Sequence, residues 1–275
     1  MAENIGLNLP LGRPAEDWEG VHPGCKWWFF DRGVILDIAG DYIRRRDGRG
    51  SDTTGWSLLL RLLEQWRPRR PIDGIVVAIP VDDLLTRTGT PRPPEDLKRR
   101  AEALYKKLWQ AQVRLGLAFP VYIVLTKGDT MTGFQQFVRE LPLHAHRDVL
   151  GWSSPYNFDS QFNGKWIDEA VTSISQSVLQ AQLEICATQA DLPDAEDLFQ
   201  FPAAINSLNQ PLQTYLQQIF KPSAYHEAFA LRGVFLTGDS GMAQEKFTSV
   251  SVMHGVYSGP KDNPATPAFL TDVFA

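Results

Sequence analysis

Two short stretches of the 275-residue chain place ion-holding and hydrogen-bonding side chains directly after apolar runs. Asp37 and Gly40 close the stretch VILDIAG, and Thr126, Lys127 and Asp129 follow VYIVL in TKGD. A guanine-nucleotide site on a parallel sheet needs an acidic residue that holds magnesium through water and a nearby backbone N–H for the γ-phosphate. It also needs a second carboxylate that accepts hydrogen bonds from the guanine edge. Asp37 with Gly40 has the spacing for the first pair, which makes Asp37 the candidate metal ligand. Thr126, Lys127 and Asp129 have the spacing for the base, with the Lys127 stem placed to lie against the ring. An aspartate after an apolar strand is commonly just a cap or turn residue. In this order, each after an apolar strand, the two stretches point to a sheet descended from GTPases.

The rest of the phosphate machinery has no counterpart in the text. No GxxxxGK[ST] string occurs, and no Ser or Thr appears from Met1 to Phe30, so a cradle, a lysine and a magnesium-binding hydroxyl are all missing from the expected places. Position 41, where a GTPase carries its water-orienting Gln, is Asp41, and a carboxylate there repels a γ-phosphate. Charge-assisted contacts are worth about 1.5–3 kcal/mol each. Losing several weakens triphosphate binding by roughly 6 kcal/mol, about four orders of magnitude in affinity.

The elements that must position these residues are legible from patterning. KWWFF and GVILD, joined by Asp31-Arg32-Gly33, read as a hairpin leading into Asp37. Asp52 and Thr53 can cap a helix on which Trp56, Leu59, Leu60, Leu63 and Trp66 recur at helical spacing, ended by Pro68 and Pro71. GIVVAI, Gly74 to Ile79, and VYIVL, Val121 to Leu125, read as strands buried on both faces. Between them Leu97, Ala101, Leu104, Leu108, Ala111 and Leu115 mark one helix face. Strand alternating with helix at this spacing gives a parallel α/β sheet, whose ligands bind beyond the carboxyl ends of the strands, where Asp37 and Thr126 to Asp129 are expected. A further stripe, Trp166, Ala170, Ile174, Val178, Ala181 and Ile185, opens a mainly helical stretch, and helical text continues from Asp194 to Phe220. GVFLT, Gly233 to Thr237, reads as a strand returning to the sheet. Beyond Gly238 the text is rich in Gly, Ser and Pro and reads as a connector whose core lies elsewhere.

Composition narrows the classes. Hydrophobic residues make up 43% and charged residues 21%, ordinary for a globular chain. A net charge of −5 argues against a general nucleic-acid binder. Basic clusters at Arg44, Arg45, Arg46 and Arg49, at Arg67, Arg69 and Arg70, and at Lys98, Arg99 and Arg100 read first as solvated faces. Docking onto an acidic partner or an anionic membrane surface is the sharper alternative. Cys25 and Cys186 have no ligand or disulfide spacing. No apolar run approaches the roughly 20 residues of a membrane helix, so a soluble chain is expected. His144 and His146 could face one way from a strand without an evident third ligand. His22, His226 and His254 stand isolated. Trp27 and Trp28 read as sheet packing, Gly151-Trp152 before Ser153, Ser154 and Pro155 as a loop anchor, and Asp82 and Asp83 as the start of a helical turn after Pro80.

At CKWWFFDRGVILDIAGDY, RPRRPIDGIVVAIPVDDLL, FPVYIVLTKGDTMTGFQQF and LRGVFLTG, in that order, the chain resembles the cytoplasmic domain of the TssM/IcmF family, inner-membrane components of type VI secretion systems. The resemblance is densest from Cys25 to Gly151 and implies a GTPase-like domain of variable nucleotide competence, held at the cytoplasmic face of the bacterial inner membrane. Asp37 and Gly40 match the family's DxAG, and Thr126, Lys127 and Asp129 its TKxD. In members with a P-loop, that loop lies just before the text matching GLNLPL, so the parent's P-loop is expected ahead of Met1, and FLTDVF resembles a point where the parent continues. The implied partners are the TssL cytoplasmic domain, TssJ through the parent protein, and baseplate proteins such as TssK. Membrane association would come through parental transmembrane segments.

The expected fold is therefore α/β, a P-loop GTPase-like mostly parallel sheet flanked by helices, lacking the P-loop, with a mainly helical subdomain. The expected division is a core at 1–150, a helical subdomain at 151–230, a returning strand at 231–240 and an extended connector at 241–275. The expected function is a scaffold and interaction domain with a vestigial or incomplete nucleotide site. No cofactor is expected for this chain, and GTP or ATP with magnesium only for the parent. The alternative is a nucleotide-dependent GTPase or ATPase switch whose P-loop lies outside this chain.

Overall fold

Apolar, β-branched text becomes strand where expected. The computed structural model describes residues 25–30, 33–40, 55–142, 144–188, 192, 195–221, 227–241 and 267–269. Strands β1 (Cys25–Phe29) and β2 (Val34–Ile38) form an antiparallel hairpin in which Lys26 faces Asp37 and Trp28 faces Ile35. Strands β3 (Ile75–Pro80), β4 (Pro120–Thr126), β5 (Gly151–Ser153) and β6 (Ala230–Leu236) form a second sheet in the order β3-β4-β6-β5. The β3–β4 and β4–β6 pairs are parallel and β5 joins antiparallel. A mostly parallel sheet flanked by helices is thus present.

Three expectations are corrected among the described residues. The hairpin is a separate two-stranded sheet, so Asp37 and Asp129 do not end neighbouring strands of one sheet. Among the described residues β3 is an edge strand, with Val76 40% exposed and Ala78 also exposed. An unbroken apolar run does not distinguish a central strand from an edge strand that lacks one neighbour. Gly151-Trp152 is likewise strand rather than loop anchor, pairing with Phe235 and Val234.

Helix α1 (Gly55–Trp66) buries Trp56, Leu60 and Leu63, but Trp66 is 75% exposed, past the point where a neighbour covers the stripe. Helix α2 (Pro94–Leu115) starts with proline in its first turn, where a missing N–H costs nothing. It buries Leu97, Ala101, Leu104, Leu108 and Ala111 and stops at Gly116, whose φ of 63° supplies the left-handed cap. Helices α3 (Phe134–Glu140), α4 (Lys165–Thr188), α5 (Ala195–Asn206) and α6 (Asn209–Phe220) follow. Pro202 lies inside α5 and has no N–H to offer the Leu198 carbonyl four residues earlier. The buried Gln182 of α4 supplies it instead, its Nε2 donating to that carbonyl at 2.6 Å. The stripe on α4 is buried as expected at Trp166, Ala170, Ile174, Val178 and Ile185.

Among the described residues the sheet and all six helices contribute to one apolar core, against which Ile38 of the hairpin also packs. β7 (Gly238–Asp239) continues from β6 and pairs with β8 (Pro267–Ala268). Phe269 follows, 4% exposed. Its burial favours the fold by about 1.5–3 kcal/mol, offset by about 1–2 kcal/mol for a left-handed backbone in a residue with a Cβ. The expected helix caps Asp52 and Thr53, the turn residues Asp31 and Arg32, Asp41, the Arg44 to Arg49 cluster, His22, His226 and His254 lie outside the described residues.

Candidate functional site at the strand ends

The ends of β3 and β4 are aligned because Pro80 pairs with Thr126. Each strand then turns into a short 3-10 helix, Val81–Asp83 after β3 and Gly128–Thr130 after β4. Lys127 links strand to turn with φ 59°, an uncommon conformation for a residue with a side chain. The bend is fixed from β6: Gly128 donates its N–H to the Thr237 carbonyl at 2.9 Å, and Thr237 donates its own to Leu125 at 2.8 Å.

The loop after β4 and the Gly238 segment after β6 touch so closely that both need glycine. A Cβ on Gly238 would sit 2.5 Å from the Asp129 nitrogen, and one on Gly128 2.9 Å from the Phe134 ring. This approach lets Asp239 donate its N–H to Asp129 Oδ1 at 2.9 Å. One oxygen of the candidate base-recognition carboxylate is therefore committed inside the protein.

Lys127 is committed as well. Its Nζ lies 2.8 Å from Asp82 Oδ2. The hydrogen bond to Asp82 and that carboxylate's charge hold the lysine pKa above its ordinary value, with smaller help from Asp83 and Asp129. The pair is about half exposed, so its contribution to stability is within the ~0–1 kcal/mol of a surface ion pair. It orients the lysine more than it stabilises the fold. Asp83 in turn binds Arg100.

Asp37 is exposed within β2, next to the strand's last residue, and Gly40 lies in the following turn. Burial first, and the Asp37 charge second, push the Cys25 thiol pKa up. Among the described residues no group of histidine, cysteine and carboxylate side chains is arranged to hold a metal ion. His144 precedes and His146 lies within a 3-10 turn, Ala145–Arg147, rather than a strand, with His146 Nε2 near the Leu141 carbonyl at 3.2 Å. The arrangement thus brings Thr126, Lys127 and Asp129 together and leaves Asp37 on another sheet, with Gly40 in the turn after it.

Two clefts adjoin the strand ends. One of about 260 Å³ is lined by Asp129, Gly133, Gln136, Arg139 and Asp197. The other, of about 580 Å³, lies among Asp82, Leu85, Arg87, Arg92, Met131 and Gln200. Lys127 lines neither. Asp82 lies in the helical turn expected after Pro80, but its engagement of Lys127, like that of Asp129 by Asp239, was not foreseen from the sequence. The signal for Asp82 was strand alignment, since once Pro80 and Thr126 pair, the residues just after them become neighbours. For Asp239, 110 positions from Asp129, no local signal exists. The described basic clusters are largely paired with carboxylates, in Arg70–Asp73, Lys98–Glu95, Arg99–Asp96 and Arg100–Asp83, as solvated faces would be.

A family model described as the IcmF-related N-terminal domain matches residues 49–275. The type VI secretion system component TssM1 of Pseudomonas aeruginosa is 30% identical over 240 residues, covering 85% of this chain and 21% of that protein. The chain spans about a fifth of the length of that relative. No solved structure matches.

Proposed function

Since this chain belongs to the TssM/IcmF family of type VI secretion components, we propose that it is a scaffold and interaction domain of the secretion membrane complex. It would work at the cytoplasmic face of the inner membrane, with a vestigial or incomplete nucleotide site. The observation that carries this reading is the internal engagement of Lys127 by Asp82 and of Asp129 Oδ1 by the Asp239 amide. A strand end whose polar groups are satisfied within the protein has little to offer a ligand.

A GTPase-like ancestry is part of the proposal. Its support is the parallel β3-β4-β6 order, the hairpin carrying Asp37, and the edge of β3 that is unpaired among the described residues. In such a sheet the phosphate-binding strand would pair along that edge. The second reading, a nucleotide switch completed by the parent protein, is supported by the Asp129 carboxylate lining the smaller cleft. No helix among the described residues is long and apolar enough to cross a membrane, so membrane attachment in this proposal belongs to the parent.

The proposed partners are the TssL cytoplasmic domain and baseplate proteins such as TssK, with TssJ reached through the parent. Biolayer interferometry of this chain against the purified TssL cytoplasmic domain and TssK of the same organism should give saturable binding to at least one, at about micromolar Kd, typical of transient assembly contacts. No binding to either at the highest soluble concentration would remove the scaffold reading for this part of the protein.

A further inference from the structure

The last described residues return to the loops that carry Lys127 and Asp129. Pro267 and Ala268 pair with Asp239 and Gly238, and the Ala268 carbonyl accepts from Thr237 Oγ1 at 2.6 Å. Phe269 donates its N–H to the His146 carbonyl at 2.8 Å and sets its ring 6.1 Å from those of both Phe134 and Phe137. The residues it rests on are the ones that shape the strand end. Thr237 accepts the Gly128 amide, Asp239 holds Asp129, and the Phe134 ring fills the space under Gly128 and Gly238.

Phe269 makes these contacts with φ 63°. Bulky residues in the left-handed region are strained, persist only where their surroundings hold them, and concentrate at switch regions. The gain from burying one ring is opposed by that strain. Pairing through two residues per strand adds little. The net stability of the contact is therefore small beside that of the sheet it sits on, although it bears on the loop at the end of β4.

We infer that Pro267–Phe269 is a releasable clasp that couples the polypeptide beyond Phe269 to the Lys127–Met131 loop. When that following chain is pulled or captured, β8 leaves β7, the Asp239 amide loses its fixed position, and the loop loosens while the sheet stays folded. Sub-global opening of this kind draws on the least stable contacts of a fold. The clasp acts on the loop whether or not the loop meets a nucleotide.

Amide hydrogen exchange of the whole 275-residue chain, followed by mass spectrometry, tests the coupling in wild type, Phe269→Ala and Phe269→Gly. Both variants remove the ring; the alanine keeps a Cβ on the left-handed backbone, so its effect reports the ring alone, and the glycine relieves that strain as well. Exchange in peptides covering Gly128–Met131 and Thr237–Gly241 should rise about tenfold or more, with Pro94–Leu115 and Pro120–Leu125 unchanged. A change confined to residues 267–269 would mean that the clasp bears on nothing and would overturn the inference. A uniform rise across β4 and α2 would overturn it too, because Phe269 would then be an ordinary core residue.

Discussion

Gly133→Ala should lower the stability of this domain by about 2–5 kcal/mol. Gly133 caps α3 with φ 83°, where a residue with a Cβ costs about 1–2 kcal/mol. The added Cβ would also lie 2.2 Å from the Asp197 carbonyl and 2.8 Å from the Phe201 Cβ, both on α5. Backbone cannot yield as a flexible side chain can, so α3 and α5 must part, an overpacking cost of about 1–3 kcal/mol. Gly116→Ala supplies the control, because Gly116 has φ 63° with nothing within 4 Å of its would-be Cβ, and only the backbone term of about 1–2 kcal/mol applies. Urea denaturation of both variants measures the difference. Equal losses would mean that the start of α3 does not press on α5.

Phe134→Ala should cost about 3–5 kcal/mol, the range for deleting a fully buried aromatic ring. Phe134 has no exposed surface and meets the rings of Phe201 at 5.6 Å and Phe269 at 6.1 Å, both edge to face. Its ring atoms would lie 2.9 Å from a Cβ on Gly128 and 2.7 Å from one on Gly238. The two loops that carry Asp129 and Asp239 therefore rest on this one ring. Phe199→Ala provides the contrast, since Phe199 is 55% exposed and an exposed substitution stays within about 0.5 kcal/mol. A Phe134→Ala loss no larger than that of Phe199→Ala, read from denaturation midpoints at constant slope, would refute the wedge.

Local pattern reached the elements and stopped at their neighbours. Leu97 to Ala111 predicted α2 and its buried face because a helix of six turns repeats its signal many times. Trp66 fits the same kind of stripe on α1 yet is exposed, since periodicity gives the direction of a side chain and not whether another element extends that far. The run IVVAI could not announce an edge, because having a neighbour on one side only, as β3 has among the described residues, leaves no mark on the strand itself. Gly151–Ser153 is too short for a period of two to register. At the candidate site, Thr126, Lys127 and Asp129 were visible as a motif, whereas their partners Asp82 and Asp239 came from other strand ends and depended on register. Phe269 lay in text whose composition resembles a linker, and only its aromatic neighbours explain why it is buried.

The account rests on Lys127 and Asp129 being engaged within the protein, and a nucleotide titration tests that most directly. The purified chain would be titrated with fluorescently labelled GTP and ATP in magnesium, beside Asp129→Ala and Asp129→Asn. The asparagine keeps an oxygen for the Asp239 amide while removing the carboxylate a guanine edge would need. The expected result is no saturable binding of either nucleotide to wild type at any attainable concentration. Micromolar binding that both variants abolish, with their melting temperatures unchanged, would contradict the account and make the strand end of β4 a working nucleotide site.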